Sequence, residues 1–477
     1  MEKERKAIER AENVSDHVAI DTNSAWLNSM NERLTASNSN PSPKDSTTIF
    51  RVPLHIRQAD SGKTYDPQII SIGPFHLSNQ QLQSMEEHKW RYLQNLLSRS
   101  PDSSLEDCLL EMKAMEAQAR SCYSESIDIG SNEFVEMMVI DGCFIIELFL
   151  KQKEAIGVDP IHRTAWMLPL IAQDMLLLEN QLPFFILQRL FELTVESTHS
   201  SLIDLAFDFY SHLFQKDDGL HHSNRSIHHL LHLFQSHLLP SPPEELHHNS
   251  YFRLPSTPAV APPPPRLIPT ATELQLAGVR FKKNDKVSSF LDVKFSKGVM
   301  EIPLLSIYGS TDQLLRNFIA FEQCLPITGS HITSYAILMN FLIDTSADVD
   351  LLNQNKIIEH SLGSNDEVAR LFNQMLNGFA IDIENCYLSG LFEEVRAYSE
   401  HVWHAWRASM VRDYFSSPWA IISVIAGIFA FILTITMSFL ELYSYRSTKG
   451  FTGTIFGQGQ RHKSLLQYLF LFQPAWC

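Results

Sequence analysis

Apolar residues return at three- and four-residue steps along most of the chain, the period of helices that bury one face. Leu105, Cys108, Leu109, Met112, Met115, Ala119 and Cys122 trace the clearest such face. Residues 85–99 (MEEHKWRYLQNLLSR) read as a helix with Trp90, Leu93 and Leu97 on its inner side. Two stretches are apolar nearly all round and predict central buried helices. They are residues 133–150 (EFVEMMVIDGCFIIELFL) and 174–195 (DMLLLENQLPFFILQRLFELTV), the second kinking or restarting near Pro183. Further helices are predicted over 201–214, over 272–281 with Thr272 as its cap, and over 311–324, 331–342, 365–376 and 390–410. Period-two alternation over 287–295 and 299–307, around Ser296-Lys297-Gly298, predicts a hairpin.

One run breaks the amphipathic rule. Residues 419–440, opening on Trp419 and closing on Leu440, hold no charged side chain, no Pro and a single Gly. As a helix the run would span about 33 Å, enough for a hydrocarbon core about 30 Å thick. Trp403, Trp406, Arg407, Arg412 and Tyr414 precede it and Tyr443, Tyr445, Arg446 and Lys449 follow, the mixture suited to a headgroup boundary. Pro418 suits a first helical turn.

The fold class expected is therefore mainly α: a helical globular domain with a small β-hairpin, plus one C-terminal transmembrane helix. Residues 1–47 read as a mobile polar arm, 48–238 as the first part of the helical domain, and 239–270 as a Pro-rich linker or loop. Residues 271–417 carry the second part with the hairpin and a juxtamembrane helix, 418–440 the transmembrane helix, and 441–477 a divergent tail. The run Pro262 to Pro265 should be extended and offers SH3-type modules a weak motif.

Charge and cysteines narrow the classes. A formal net charge of −16 over 477 residues argues against a nucleic-acid partner and against broad adhesion to anionic lipid. That leaves residues 419–440 as the contact with membrane lipid. The six cysteines are scattered without a CxxC pair, which predicts packed free thiols and neither a zinc site nor a disulfide framework. The N-terminus MEKERKAIER lacks an apolar signal core, so the main domain is placed in the cytosol. Arg446, Lys449, Arg461 and Lys463 behind the span argue for the reverse orientation, as would glycans on the sequons at Asn13 and Asn224.

Chemistry has few candidates. Asp141, Asp174 and Glu179 lie inside apolar segments, where a carboxylate must be paired, hydrogen-bonded or neutralised. They read either as catalytic acids and bases or as a buried network, with Asn180 and Gln181, that fixes how central elements meet. Asp174 and Glu179 are five apart and would not share a face of one straight helix. His228 and His232, four apart, are the candidate metal pair within a His-rich stretch, with a polar surface stretch as the plainer reading. In SIGPFH, Ser71 and His76 suggest a nucleophile and base, but Gly73-Pro74 reads as a turn. No cofactor motif appears.

Several blocks occur in the order of a known family. SIGPFH at 71–76 with MEEHKWRYL at 85–93, DGCFIIEL at 141–148 and DMLLLENQLPFF at 174–185 open the series. ATELQLAGVRF at 271–281, FLDVKFSKGVMEI at 290–302, RNFIAFEQC at 316–324, IIEHSLGSND at 357–366 and YFSSPWAII at 414–422 continue it. Over roughly residues 49–440 the chain resembles the plant family called domain of unknown function 247. The resemblance implies a helical body with one C-terminal membrane helix, and no reaction, cofactor or catalytic residue. The expected role is that of an anchored, protein-binding recognition or signalling component or scaffold. A membrane-tethered hydrolase or transferase using the acids is the alternative. Carboxylates lining an open pocket would favour the enzyme; satisfied burial would favour the binding protein.

Overall fold

The computed structural model describes residues 24–39, 46–59, 63–99, 104–154, 159–196, 200–211, 213–214, 226–239, 267–285, 289–383, 386–400 and 418–449. Most of the Pro-rich segment, both sequons, residues 401–417 and the tail beyond Lys449 lie outside them. The chain divides into two compact units, one of Met1–Gln275 with Val279–Ser399 and one of Leu276–Gly278 with Glu400–Cys477. The first unit takes in residues 48–238 and most of 271–399, whereas residues 400–417 of the predicted second part fall in the other.

In chain order the first unit begins with α1 (Ser24–Ser39), which falls inside the predicted arm, then α2 (Leu54–Ala59), α3 (Glu86–Leu97) and α4 (Leu105–Ser121). The long helix α5 (Ser131–Glu154) follows, buried without interruption from Met137 to Lys151 as its all-round apolar sequence requires. Then come α6 (Pro160–Arg163), α7 (Met167–Asp174), α8 (Phe184–Thr194), α9 (Leu202–Phe209) and α10 (Leu230–Leu238). Helices α3, α4, α8 and α9 pack around α5.

Three expectations change here. The predicted helix over 174–195 does restart at Pro183, as α8, but its first part is not helical, because α7 stops at Asp174. Ser201 caps a shorter helix than expected, through a reciprocal box with Asp204. On α3 the inner face is Lys89, Tyr92, Leu93 and Leu96, while Trp90 is 48% exposed. Lys89 turns inward because its ammonium meets Asp141 at 2.7 Å and Glu86 at 2.8 Å. Ion pairing has overruled the hydrophobic pattern.

The second half opens with α11 (Ala271–Ala277), shorter than predicted: Thr270 reaches its first turn, and Thr272 instead donates to Asp348. Strand β1 (Arg280–Lys283) follows, where helix was expected. Strands β2 (Lys294–Ser296) and β3 (Val299–Ile302) pair antiparallel as the predicted hairpin, though with shorter arms. Lys297 and Gly298 make its turn at φ of 50° and 76°. Strand β1 adds parallel to β3, giving the order β1-β3-β2. Strand β4 (Leu305–Ile307) pairs parallel with β5 (Ile358–His360).

Helices α12 (Thr311–Cys324), α13 (His331–Leu342), α14 (Ser346–Gln354), α15 (Asn365–Met375) and α16 (Ser389–Glu400) complete the unit, α14 being the one the pattern did not indicate. The second unit contains α17 (Pro418–Lys449), which includes the apolar run. Its window Ile425–Tyr443 is long and apolar enough to cross a membrane, and none of that window is buried. Cys108, Cys122 and Cys143 are buried free thiols, as expected.

Phe144 is fully buried on α5, its ring 4.9 Å from that of Tyr92. Phe144→Ala is expected to lower stability by about 3–5 kcal/mol. Chemical denaturation checks this, and a loss within error would mean that α5 is not the packing axis.

Candidate functional site: a buried carboxylate clamp

Residues 68–73 lie outside the helices and strands and pass from exposed Gln68 and half-buried Ile69 into the interior at Ile70 to Gly73. Buried backbone N–H groups demand acceptors, and here side chains supply them. Asp174, the last residue of α7, accepts from Gln68 N–H at 2.9 Å, Ile69 at 2.8 Å and Ile70 at 3.0 Å. Asn180 takes Ile72 N–H at 2.7 Å and returns its amide to the Ile70 carbonyl at 3.1 Å. Asp141 on α5 takes Gly73 N–H at 2.8 Å. Gly73 sits at φ 75°, and a Cβ there would lie 2.6 Å from the Gln181 carbonyl oxygen, so glycine is required.

The non-helical stretch between α7 and α8 is held in the same way. Gln181 donates to the carbonyls of Met175 and Leu177, both at 2.8 Å, and accepts from Leu231 N–H at 3.2 Å. Asn317 on α12 accepts from Leu178 N–H at 2.9 Å and donates to the Thr64 carbonyl at 3.1 Å. Glu179 faces the other way: it accepts from Val52 N–H at 2.7 Å and pairs with Arg57 at 2.7 Å and Arg51 at 3.2 Å. His76 Nε2 lies 3.5 Å from the same carboxylate.

The electrostatics follow from these partners. Burial pushes the Asp174 carboxyl up to about 6, its three backbone donors opposing the shift. At Glu179 burial also disfavours the charge, but His76, Arg57 and Val52 outweigh it and hold the carboxyl below its usual value. Lys89 is likewise desolvated, yet Asp141 and Glu86 keep its ammonium above the usual lysine range. A second, unanticipated acid does the same work between α12 and α13: Glu322 accepts from Ile332 and Thr333 N–H and from the Gln235 amide. Burial raises it to about 7.

Asp141, Asp174 and Glu179 are 2%, 0% and 1% exposed. The sequence grouped these three with Asn180 and Gln181, and the structure does bring them together, as acceptors for backbone and cations rather than as the wall of a cleft. A small, partly open pocket is lined by Gln173, Leu176, Leu213, Ser310, Gln313 and Leu314 and includes none of the three. Lys89, Asn317 and Glu322 escaped notice. Lys89 left one signal: it interrupts the inward spacing of Met85, Tyr92, Leu93 and Leu96.

The polar-surface expectation fails for His229 and His232, while His221, His222, His247 and His248 lie outside the described residues. His229 is fully buried and caps α10, and His232 is 8% exposed. His228 and His232 stack at 4.5 Å, but His228 precedes the helix and His232 Nδ1 accepts the His228 N–H at 3.1 Å. His229 Nδ1 accepts from His232 N–H, so its Nε2 carries the proton donated to the Thr48 carbonyl at 3.1 Å. Burial and the two neighbouring rings hold His229 neutral. Among the described residues no group of three His, Cys, Asp or Glu could hold a metal ion. In SIGPFH, Ser71 is buried and Gly73-Pro74 turns the chain into the short helical segment Pro74–His76, as expected.

The profile of DUF247, described as a plant protein of unknown function, matches residues 49–433. UPF0481 protein At3g47200 of Arabidopsis thaliana is 34% identical, covering 85% of this chain and 88% of the relative. Putative UPF0481 protein At3g02645 of the same plant is 22% identical, covering 83% and 90%. No solved structure matches.

Asp174→Asn keeps the size and replaces an acceptor with a donor facing backbone N–H groups, for an expected loss of about 1–3 kcal/mol in denaturant unfolding. An unchanged midpoint would remove Asp174 from the clamp. Glu322 is raised in the folded state, so its contribution is complete below about 4.5 and fades as pH rises through about 7. Stability measured from pH 4.5 to 8 should therefore fall less steeply in Glu322→Gln than in the parent. Parallel curves would contradict the assignment.

Proposed function

The chain belongs to the DUF247 family of plant proteins of unknown function, and on that premise we propose that it is a single-pass, membrane-anchored protein whose helical unit binds another protein, as a recognition or signalling component or a scaffold. The observation that carries the reading is α17. Ile422, Phe429, Leu433 and Phe439 are 55%, 65%, 60% and 71% exposed, far more apolar surface than water tolerates on one helix. Its hydroxyls need no solvent either: Thr434, Thr436 and Ser438 bond back to the carbonyls of Ala430, Ile432 and Thr434. A helix so satisfied is what the hydrocarbon interior of a bilayer admits.

The binding role is supported by how the polar interior is used. The acids that catalysis would draw on are occupied in positioning backbone, and Asp141, Asp174 and Glu179 are too buried to line the open pocket that a tethered hydrolase or transferase would need. Anchoring itself supplies a mechanism: confinement to a surface raises the effective concentration of a co-anchored partner, so that modest contacts suffice. The main unit faces the cytosol in this reading.

Deleting residues 419–440 is expected to release the protein from membranes, and retention in the alkaline-washed membrane fraction would defeat the anchor. Protease treatment of intact vesicles should digest the main unit. Full protection, or glycans on Asn13 or Asn224, would reverse the orientation.

A further inference from the structure

We propose that the outer face of the three-stranded sheet is a docking surface for anionic lipid headgroups of the bilayer in which the chain is anchored. The register places Arg280 and Lys282 of β1 beside Val299 and Glu301 of β3, with Ser296 and Lys294 of β2 beyond them. The alternation is strict: Phe281 and Met300 are buried on the other face, while Arg280, Lys282, Lys294 and Ser296 are exposed. Lys297 stands exposed in the adjoining turn.

Three cations therefore share one small face, with a fourth in the turn beside it, on a chain whose net charge is −16. Acids offset only part of them, Glu301 lying 3.3 Å from Lys282 and Asp292 3.1 Å from Lys294. The charged groups of Arg280 and Lys297 meet no carboxylate among the described residues. Total charge repels this protein from anionic membranes, but attraction within a Debye length is set by the local face.

Position argues for a bilayer as the occupant. Tyr398, near the end of α16, packs its ring 5.7 Å from that of Phe295 on β2. A side chain at Gly298, in the same turn as Lys297, would collide with that tyrosine. The chain thus leaves the first unit beside the basic face. Seventeen residues, 401–417, separate α16 from Pro418, at most about 60 Å of extended chain. A basic sheet face tethered within that reach of a membrane matches the charge of phosphate-bearing headgroups.

The proposal rests on the anchored reading above. The full chain is placed in lipid discs of pure phosphatidylcholine, or with about 30 mol% phosphatidylserine. Exposed amines are then acylated and quantified by mass spectrometry. Modification of Lys282, Lys294 and Lys297 is expected to drop several-fold in the anionic discs and to recover near 1 M salt, where screening acts over only about 3 Å. Lys113 and Lys153, exposed elsewhere, should react alike in both. In the variant carrying Arg280→Glu and Lys297→Asn, protection of Lys282 and Lys294 should fall by about fivefold for each positive charge removed.

Equal reactivity of the three lysines in both discs overturns the proposal, as does protection in neutral discs that salt leaves unchanged, the signature of a protein contact. Co-elution with the discs reports the anchor separately. A chain that co-elutes without selective protection defeats the sheet proposal alone, and one that fails to co-elute defeats both.

Discussion

A peptide N–H carried into a protein core must find an acceptor, and this fold meets that demand in an unusual place. Residues 68–73 enter the interior without a partner strand, and Asp174, Asn180 and Asp141 take the place of one. Each acceptor comes from a different part of the chain: the end of α7, the stretch after it, and the middle of α5. Fixing one hexapeptide therefore fixes three elements at once. The network is expensive to leave half made, since an unpaired buried acceptor or donor costs far more than a made bond contributes.

The same device ties the two halves of the first unit together. Asn317 reaches from α12 to Leu178 and Thr64, and Glu322 joins α12 to α10 and the start of α13. Within the first half His229 works on a smaller scale, capping α10 and holding Thr48. Buried polar groups that look like chemistry are here spent on geometry.

What could be read beforehand follows from which forces leave a periodic trace. Burial does, so α5, α12, α13 and the hairpin were legible, as was the apolar run inside α17. Capping and clamping do not. Asp174 ends α7 because its carboxylate turns to Gln68, Ile69 and Ile70, more than a hundred residues earlier, which no local pattern encodes. Trp90 was misplaced for a similar reason, because Lys89 answers to Asp141 on another helix. The carboxylates were singled out correctly as buried and in need of partners. The identity of those partners, mostly backbone, required the fold.

Amide hydrogen exchange across residues 68–73 of the full chain tests the clamp most directly. The account predicts that Gln68, Ile69, Ile70, Ile72 and Gly73 exchange only when the whole unit opens, as slowly as the centre of α5. Exchange at the rate of an exposed loop, with α5 still protected, would contradict it.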